Sequence, residues 1–339
     1  MRLLQVSLAG LAYVDAPVVV PTASIARELR PTAERLGIRL ELLTSLTGIE
    51  ERRFWHPGVM PSEAATWAAE AALADAGVDR SRIGVIVSTS VCKDYLEPSV
   101  AALVHGNLGL DARCLNFDLG NACLAFLNGM EVVGAMIERG AVDYGLVVDG
   151  EGSREVVEAT VERLRQPTCD AQTFRDNFAT LTLGSGAAAA VLTRADLAPQ
   201  GHRFLGGVNL AATEHRRLCI GQASEMRTDA TALLNAGVAL AGRTFELARE
   251  QMGWTAARDL DELVLHQVSG VHTDKLLEQL GAEPRQVFSI FPQFGNVGPA
   301  SIPIALGKAR DAGRLAPGAR IGLLGIGSGL NCSMMEVVW

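Results

Sequence analysis

Hydrophobic positions along this chain follow two periods, and segments of the two kinds alternate. Short apolar runs rich in β-branched residues are typical of buried strands, and they occupy residues 82–91, 142–152, 260–270 and 319–330. Between them lie stretches with helical spacing: residues 62–77, the segment from Cys123 to about Gly140, and residues 231–253. Ser62 is the expected N-cap of the first helix and Gly77 its expected end. The alternation predicts a layered α/β protein.

The two halves of the chain are alike in kind, since each has a long amphipathic helix followed by a strand that ends in a polar residue. Proline and glycine occur in the stretch from about 192 to 210, which makes it the expected junction. We therefore predict a first half of residues 1–195, carrying a candidate nucleophile, and a second half of residues 196–339, carrying a candidate histidine and asparagine. No short repeat accompanies this pattern.

The composition narrows the classes of function. A chain of 339 residues with 48% hydrophobic content can bury a large core. Its formal net charge of −8 argues against general binding to nucleic acid or acidic membranes. None of the six cysteines forms a CxxC pair, so no metal site is expected. No export signal is evident, and no apolar run approaches the roughly 20 residues that span a bilayer. A reduced, cytoplasmic protein is expected.

Cys123 is the first candidate for chemistry. It stands in "DLGNACLAFLNGM", between an expected strand end and an expected helix. At a helix start, the free N–H groups and the helix dipole favour a thiolate and can also hold a developing oxyanion. The alternative is a small buried cysteine packed between layers, which is the commoner role of a free cysteine.

Two further residues occur in suggestive surroundings. In "VLHQVSG", a strand delivers His266 to its carboxyl end, where ligands gather in α/β folds. In "FPQFGNVGPASIPIAL", Asn296 lies between two glycines before a helical run. Each has a simpler explanation taken alone: a hydrogen-bonded histidine, and ordinary turn chemistry.

Two other motifs are weaker. The glycines of "GIGSGLNCS" (325–333) lack the lysine and hydroxyl spacing of a phosphate-binding loop, so a hairpin that lets backbone approach a substrate is favoured. Glu97 precedes Pro98, which is a candidate first residue of a helix. On spacing alone, Glu97 is best explained as a carboxylate that complements a helix dipole.

Together these motifs resemble the thiolase superfamily, in its ketoacyl-ACP synthase III branch. The order is a cysteine at a helix start, a histidine in "HQ" and an asparagine in "GNVGPAS". "TGIEERR" (47–53) and the closing "GIGSGL" add to the resemblance, which spans essentially the whole chain. Within the branch, "DYLEPS", "FDLGNACLAFLNGM" and "GIGSGLNCSMMEVVW" are most similar to the long-chain acyl-CoA condensing enzymes of bacterial olefin and β-lactone pathways. The resemblance implies a duplicated five-layer αβαβα fold and a homodimer.

The resemblance also implies roles for particular residues. Cys123 would attack a fatty acyl-CoA and carry the acyl group, and its N–H with that of Ser328 would form an oxyanion hole. His266 and Asn296 would hydrogen-bond the carbonyl of the second thioester, and His266 would also assist the thiolate. Glu97 would enter the active site of the partner subunit as the base for the second substrate.

The expected reaction is a non-decarboxylative Claisen condensation. A fatty acyl-CoA has no carboxylate to lose, so a base must remove its α-proton, and the product after hydrolysis is a 2-alkyl-3-oxo acid. The substrates are coenzyme A thioesters, and no other cofactor is expected. Cations near the entrance would bind the coenzyme A phosphates. The candidates are Arg52 and Arg53, by their position in the family motif, and more weakly Arg216 and Arg217. Downstream pathway enzymes are implied partners.

Several alternatives remain open from the sequence. The main one is a decarboxylative 3-oxoacyl-ACP synthase III that uses a malonyl thioester and does not need Glu97. A thiolase proper needs a second cysteine in a C-terminal glycine-rich loop, and Cys332 lies after those glycines, so it is interpreted as a packed residue. The motifs fit hydroxymethylglutaryl-CoA synthase less well. A non-catalytic partner of a heterodimer, or a lipid carrier, would not require Cys123, His266 and Asn296 together.

Overall fold

The first half of the chain alternates strands and helices. A computed structural model describes residues 1–339. The strands of the first half are β1 (Val6–Asp15), β2 (Val18–Pro21), β3 (Glu51–Phe54), β4 (Val85–Ser88), β5 (Leu115–Asp118), β6 (Tyr144–Glu151) and β7 (Gly186–Arg194). Its helices are α1 (Thr22–Leu36), α2 (Leu42–Ser45), α3 (Pro61–Ala76), α4 (Val100–Leu108), α5 (Ala125–Glu138), α6 (Arg154–Arg165) and α7 (Ala171–Asn177).

The second half has a similar composition of elements. Its strands are β8 (His202–Ala211), β9 (Cys219–Gln222), β10 (Glu225–Thr228), β11 (Glu262–Leu265), β12 (Arg320–Gly327) and β13 (Asn331–Val338). Its helices are α8 (Ala230–Met252), α9 (Gly270–Leu280), α10 (Phe291–Phe294) and α11 (Ser301–Asp311). None of the helices combines the length and the hydrophobicity that crossing a bilayer requires.

Nine strands form one continuous mixed sheet whose order repeats about its middle. The order is β11-β12-β13-β8-β1-β7-β6-β4-β5, and β1 meets β8 only at its first residues. In the first half, β1 pairs antiparallel with β7, β7 pairs antiparallel with β6, and β6 pairs parallel with β4. In the second half, β8 pairs antiparallel with β13, β13 pairs antiparallel with β12, and β12 pairs parallel with β11. Where the second half lacks a counterpart of β5, a single parallel bridge joins Leu263 to Val287. This repetition supports the division into residues 1–195 and 196–339 that we propose.

The hydrophobic core has three main parts, and they define the layers. One cluster lies between the first half-sheet and helices α3 and α4, and another lies between the second half-sheet and helices α8 and α9. The largest, with 32 buried residues, fills the space between the two half-sheets around α5 and α11. The five layers are thus helix, sheet, helix, sheet and helix, and the predicted αβαβα fold is confirmed.

Helix α5 is central because its sequence is apolar on most of its circumference, as expected of a helix covered on several sides. Its buried side chains include Phe126, Leu127 and Met130. Its glycines permit close packing: a Cβ on Gly129 would lie 2.8 Å from Cγ2 of Thr89, and one on Gly134 would lie 2.7 Å from Cδ1 of Leu3. Helix α5 packs on β6 and β7 of the first half and on β8 and β13 of the second, so the helix that follows the candidate nucleophile is held by both halves.

The predicted elements are present, but two helix starts differ from the sequence interpretation. Helix α3 has Pro61 at its first position, and Ser62 is not its cap, because the N–H and hydroxyl of Ser62 both donate to Asp94. Helix α4 does not start at Pro98; Ser99 is its N-cap and accepts from the N–H of Ala102. Gly77 does end α3, with a left-handed φ of 63°.

Candidate active site

Cys123 lies in a tight turn at the start of α5. A 3₁₀ turn, Ala122–Leu124, links the loop after β5 to the helix, and Ala122 has a φ of 47°, which is unusual for a residue other than glycine. The side chain of Cys123 is half-buried. A sharp turn of this kind presents the thiol at the end of a central helix.

The thiol of Cys123 is protonated at rest. Burial, with smaller contributions from the nearby Cys219, Glu151 and Asp149, raises its pKa to about 12. This is the opposite of the stable thiolate expected from the helix start, because removal from water disfavours the charged form more strongly than the turn's N–H groups favour it. A proton acceptor is therefore needed when Cys123 attacks.

His266 is the sequence-predicted candidate for that acceptor. It follows β11 directly, and its N–H donates to the carbonyl of Leu324 at 2.8 Å, which fixes it beside β12. Burial, with a smaller contribution from the neighbouring His272, lowers the pKa of His266 to about 3, so the imidazole is neutral. Its Nδ1 is buried without a hydrogen-bond partner. A neutral ring can accept a proton from a thiol.

Asn296 is held so that the nitrogen of its side-chain amide, Nδ2, remains available. Its N–H donates to the carbonyl of Thr182, its carbonyl accepts from Gly184, and its Oδ1 accepts from the N–H of Gly298 at 3.0 Å. Gly295 precedes it with a φ of 67°, and a Cβ there would lie 2.5 Å from the carbonyl of Thr182. The loop requires glycine at this position, and Nδ2 of Asn296 is left to donate to a ligand.

The structure brings the loops of these residues together. The Ala122–Leu124 turn contacts the Gly298–Ala300 turn and the ends of β12 and β13. A Cβ on Gly327 would lie 3.2 Å from both the carbonyl of Asn121 and the N–H of Leu124, so the hairpin after β12 rests on the turn of the nucleophile. Ser328 is the next residue of that hairpin, and its N–H makes no hydrogen bond within the chain. The turn of Cys123 thus lies against the turn that follows Asn296 and against the hairpin of Ser328, and His266 is hydrogen-bonded to the strand that leads into that hairpin.

Glu97 lies at the tip of an exposed loop. We call residues 91–98, between β4 and α4, the arm. Leu96 is 100% exposed and Tyr95 is 55% exposed, and Glu97 between Leu96 and Pro98 is exposed too. The arm is anchored below its tip, because Lys93 pairs with Asp118 at 2.8 Å and Asp94 binds the start of α3. An anchored loop with an apolar, projecting tip is suited to contact another chain.

The candidate arginines occupy different environments. The prediction that Arg52 binds a coenzyme A phosphate is wrong for this fold: the residue is 2% exposed, and its guanidinium donates to the hydroxyl of Thr22. Arg53 is half-buried, with its guanidinium 4.9 Å from the centre of the Phe294 ring. Arg216 and Arg217 are exposed, and Arg217 lines a cavity of about 440 Å³ beside the β9–β10 hairpin.

Two polar residues near the site were missed by the sequence interpretation. The Oε1 of Gln267 accepts from the N–H groups of Ile290 and Phe291, and its Nε2 donates to Phe288, so it fixes the segment that leads to Asn296. Glu151 is buried at the end of β6 and accepts from the arm. The sequence signals were the glutamine of "HQ" and the acidic residues of "VVDGEG", which interrupt an otherwise apolar strand.

Comparisons with known proteins identify relatives of the chain. Residues 117–211 match the family of 3-oxoacyl-[acyl-carrier-protein] synthase III, and residues 250–339 match the family of its C-terminal region. An acyl-CoA:acyl-CoA alkyltransferase of Xanthomonas campestris is 50% identical over 99% of both chains. One of Shewanella oneidensis is 37% identical over the full length of both.

A solved structure of Xanthomonas campestris OleA with bound lauric acid and lauroyl-CoA is also similar. It is 49% identical, covers 99% of both chains and superposes with a TM-score of 0.97. Other solved structures of that protein carry a replaced cysteine, glutamate or histidine. The residue types varied there are those of Cys123, Glu97 and His266.

Proposed function

The chain belongs to the acyl-CoA:acyl-CoA alkyltransferase family within the 3-oxoacyl-ACP synthase III group, and we propose that it condenses two long-chain fatty acyl-CoA molecules without decarboxylation. One observation carries the proposal. A chain with the Cys123, His266 and Asn296 site also projects a carboxylate, Glu97, on an anchored arm. A malonyl-dependent enzyme generates its carbanion by losing CO2 and has no use for such a base.

The first half of the reaction loads the enzyme. The Sγ of Cys123 attacks the thioester carbon of an acyl-CoA, and the thiol proton passes through the neutral ring of His266 to the departing coenzyme A sulfur. The C–S bond to coenzyme A breaks as the bond to Cys123 forms. The N–H groups of Cys123 and Ser328 stabilise the negative oxygen of the intermediate.

The second half forms the carbon–carbon bond. Glu97 of the partner subunit removes an α-proton from a second acyl-CoA. Nδ2 of Asn296, with His266 in the tautomer that carries the proton on Nε2, donates to the enolate oxygen. The enolate carbon then attacks the acyl carbonyl on Cys123 and expels the thiolate. Hydrolysis of the β-ketoacyl thioester yields a 2-alkyl-3-oxo acid.

The face beside the β9–β10 hairpin is the proposed entrance for coenzyme A. Cys219, at the start of β9, is close enough to Cys123 to raise its pKa, so the hairpin borders the site. Arg217 lines the cavity on that hairpin and supplies a cation for a phosphate, whereas Arg227 is paired with Glu225 at 2.8 Å. Arg216 is adjacent in the chain, and Arg53 is a weaker candidate because it is half-buried.

The proposed assembly is a homodimer in which each arm completes the partner's site. The exposed Tyr95 and Leu96 support this, since an apolar tip gains by burial against a second copy. The free state of all six cysteines supports a reducing compartment, for which we propose the cytoplasm. The product then needs further enzymes that reduce the ketone or otherwise convert the 3-oxo acid.

Intact-protein mass spectrometry after incubation with myristoyl-CoA alone tests the function. The chain, Cys123→Ala and Glu97→Ala are compared, with free coenzyme A and condensed lipid measured in parallel. We expect an acyl adduct that Cys123→Ala abolishes, and a condensed keto acid (or its ketone) that Glu97→Ala abolishes while the adduct persists. A product that appears only with malonyl thioester would assign the decarboxylative reaction instead. The absence of any adduct would refute the role of Cys123 with this substrate.

A further inference from the structure

Glu151 connects two structures that carry different catalytic groups. At the end of β6, its Oε1 accepts from the N–H of Val91 at 2.6 Å, and its Oε2 lies 3.4 Å from the N–H of Cys92. These residues begin the arm whose tip is Glu97. On its other side, Glu151 faces the loop of Asn296: a Cβ on Gly298 would lie 3.6 Å from the carboxyl carbon.

The surroundings make this carboxyl group a fixed anchor. Glu151 is 4% exposed, so its two bonds to the arm do not compete with water. Asp149, two residues earlier on the same face of β6, is buried as well and accepts from the hydroxyl of Thr89 at 2.6 Å. Ser90 completes the set, since its hydroxyl accepts from the N–H of Gly150 at 2.8 Å. The root of the arm is thus bonded to β6 at successive positions.

We propose that Glu151 is a positioning residue for Glu97, and that through the arm it controls proton abstraction in the active site of the partner subunit. The proposal rests on the proposed function, in which Glu97 crosses the dimer. Glu151 receives two N–H groups five and six residues before Glu97, at the point where the chain leaves the sheet. A shift of about 1 Å in a catalytic group costs on the order of 100-fold in rate. Loading of Cys123 does not use Glu97 and is spared.

Heterodimers with a single working nucleophile test the direction of this effect. In the first, a Glu151→Ala subunit is paired with a Cys123→Ala subunit, so the working site receives an arm anchored by an intact Glu151. In the second, a subunit carrying both substitutions is paired with an unaltered one, so the working site receives the loosened arm. A dimer of unaltered and Cys123→Ala subunits is the reference, and Glu155→Ala, an exposed glutamate on the next helix, replaces Glu151→Ala as the matched control.

We expect the second heterodimer to condense myristoyl-CoA about 100-fold more slowly than the reference, and the first, whose working site contains the altered residue itself, to lose less than about tenfold. The acyl adduct should form within about threefold of the reference rate in the second heterodimer, whose working subunit is unaltered, which also shows that this dimer is folded. Glu151→Gln keeps an oxygen for the N–H of Val91 and should restore the rate to within about tenfold. Equal losses in both heterodimers, or a loss confined to the first, would overturn the proposal, because Glu151 would then act within its own subunit.

The same pair of heterodimers made with Glu97→Ala separates this proposal from the one it rests on. If Glu97 crosses the interface, only the heterodimer that places both substitutions in one subunit loses condensation. If Glu97 shows that pattern and Glu151 does not, the role of Glu151 fails alone. If Glu97 shows the reverse pattern, the exchange of arms fails, and with it the basis of both.

Discussion

The side-chain amide of Asn331 donates a hydrogen bond of 3.1 Å to Oδ1 of Asn121 and ties the hairpin after β12 to the turn that holds Cys123. Nδ2 of Asn121 in turn donates to Oδ1 of Asn128 on α5 at 2.7 Å. These amides fix the spacing between the two N–H groups assigned to the oxyanion hole, those of Cys123 and Ser328.

Replacement of Asn121 should therefore slow the loading step. We expect Asn121→Ala to lower the rate of acyl-cysteine formation about tenfold, a fraction of what deletion of a whole oxyanion donor costs. Single-turnover mass spectrometry with myristoyl-CoA measures that rate. Asn209→Ala is the control, because it alters an exposed side chain at the outer end of the same series of hydrogen-bonded amides. It should change the rate of acyl-cysteine formation less than about twofold. An unaltered rate in Asn121→Ala would show that the hairpin is held by packing alone.

The protonation of Cys123 predicts a specific pH dependence. Because burial raises the thiol pKa to about 12, the thiolate fraction should rise about tenfold for each pH unit between 6 and 9. The rate of alkylation by iodoacetamide, followed by mass, should climb over this range without a plateau. His266→Ala should leave the slope unchanged, since the ring of His266 is neutral throughout. A plateau near pH 7 would mean that Cys123 rests as a thiolate paired with an imidazolium.

His272 should make the protein sensitive to acid. Burial lowers its pKa to about 4, whereas the unfolded chain binds a proton near pH 6.5. Its contribution to stability is therefore full above pH 6.5 and is lost as the pH falls toward 4, by about 2 kcal/mol at pH 5. Urea unfolding at pH 7 and pH 5 measures the loss. In His272→Asn the difference between the two pH values should be smaller by about that amount, and an equal difference would contradict the assignment.

Replacement of Arg217, but not of Arg52, should raise KM for myristoyl-CoA. Arg217→Ala removes a cation from the proposed entrance, and we expect KM for myristoyl-CoA to rise about tenfold, less so at high salt. Arg52→Met replaces a buried cation that has no carboxylate partner, so stability should be nearly unchanged or increased, and KM should stay within about twofold. Steady-state kinetics and thermal unfolding distinguish the two. A large increase of KM in Arg52→Met would return Arg52 to the binding site.

The fold was largely predictable because the hydrophobic periodicity of the sequence indicates where most strands and helices lie. The run "VDYGLVVDGEG" becomes β6 at residues Tyr144–Glu151, and the stretch after Cys123 becomes α5. Helix starts were less predictable, because the role of Ser62 as a cap depends on whether a distant partner captures its side chain. Asp94 does so from 32 positions away, and no local pattern reveals it.

The residues of the proposed site could be chosen from the sequence, but their environments could not. The motif positions of Cys123, His266 and Asn296 predict one site, and in the structure the turn of Cys123 contacts the turn that follows Asn296. The burial that keeps the Cys123 thiol protonated depends on the packing of both halves. The residues next to Cys123 in the sequence do not indicate it. Arg52 shows the same limit, since its position in "TGIEERR" gives no sign that the guanidinium points inward under α1.

The central helix layer also determines when the active site can form during folding. Its core of 32 buried residues draws on both half-sheets, while the one strand pairing between them joins the first residues of β1 and β8. Neither half alone can cover α5 or α11, so a nascent chain released before β13 would leave the helix of Cys123 open to water. Contacts this distant in sequence form slowly. Folding and the creation of a reactive centre are accordingly one event, and a fragment ending at residue 195 should be inert rather than partially active.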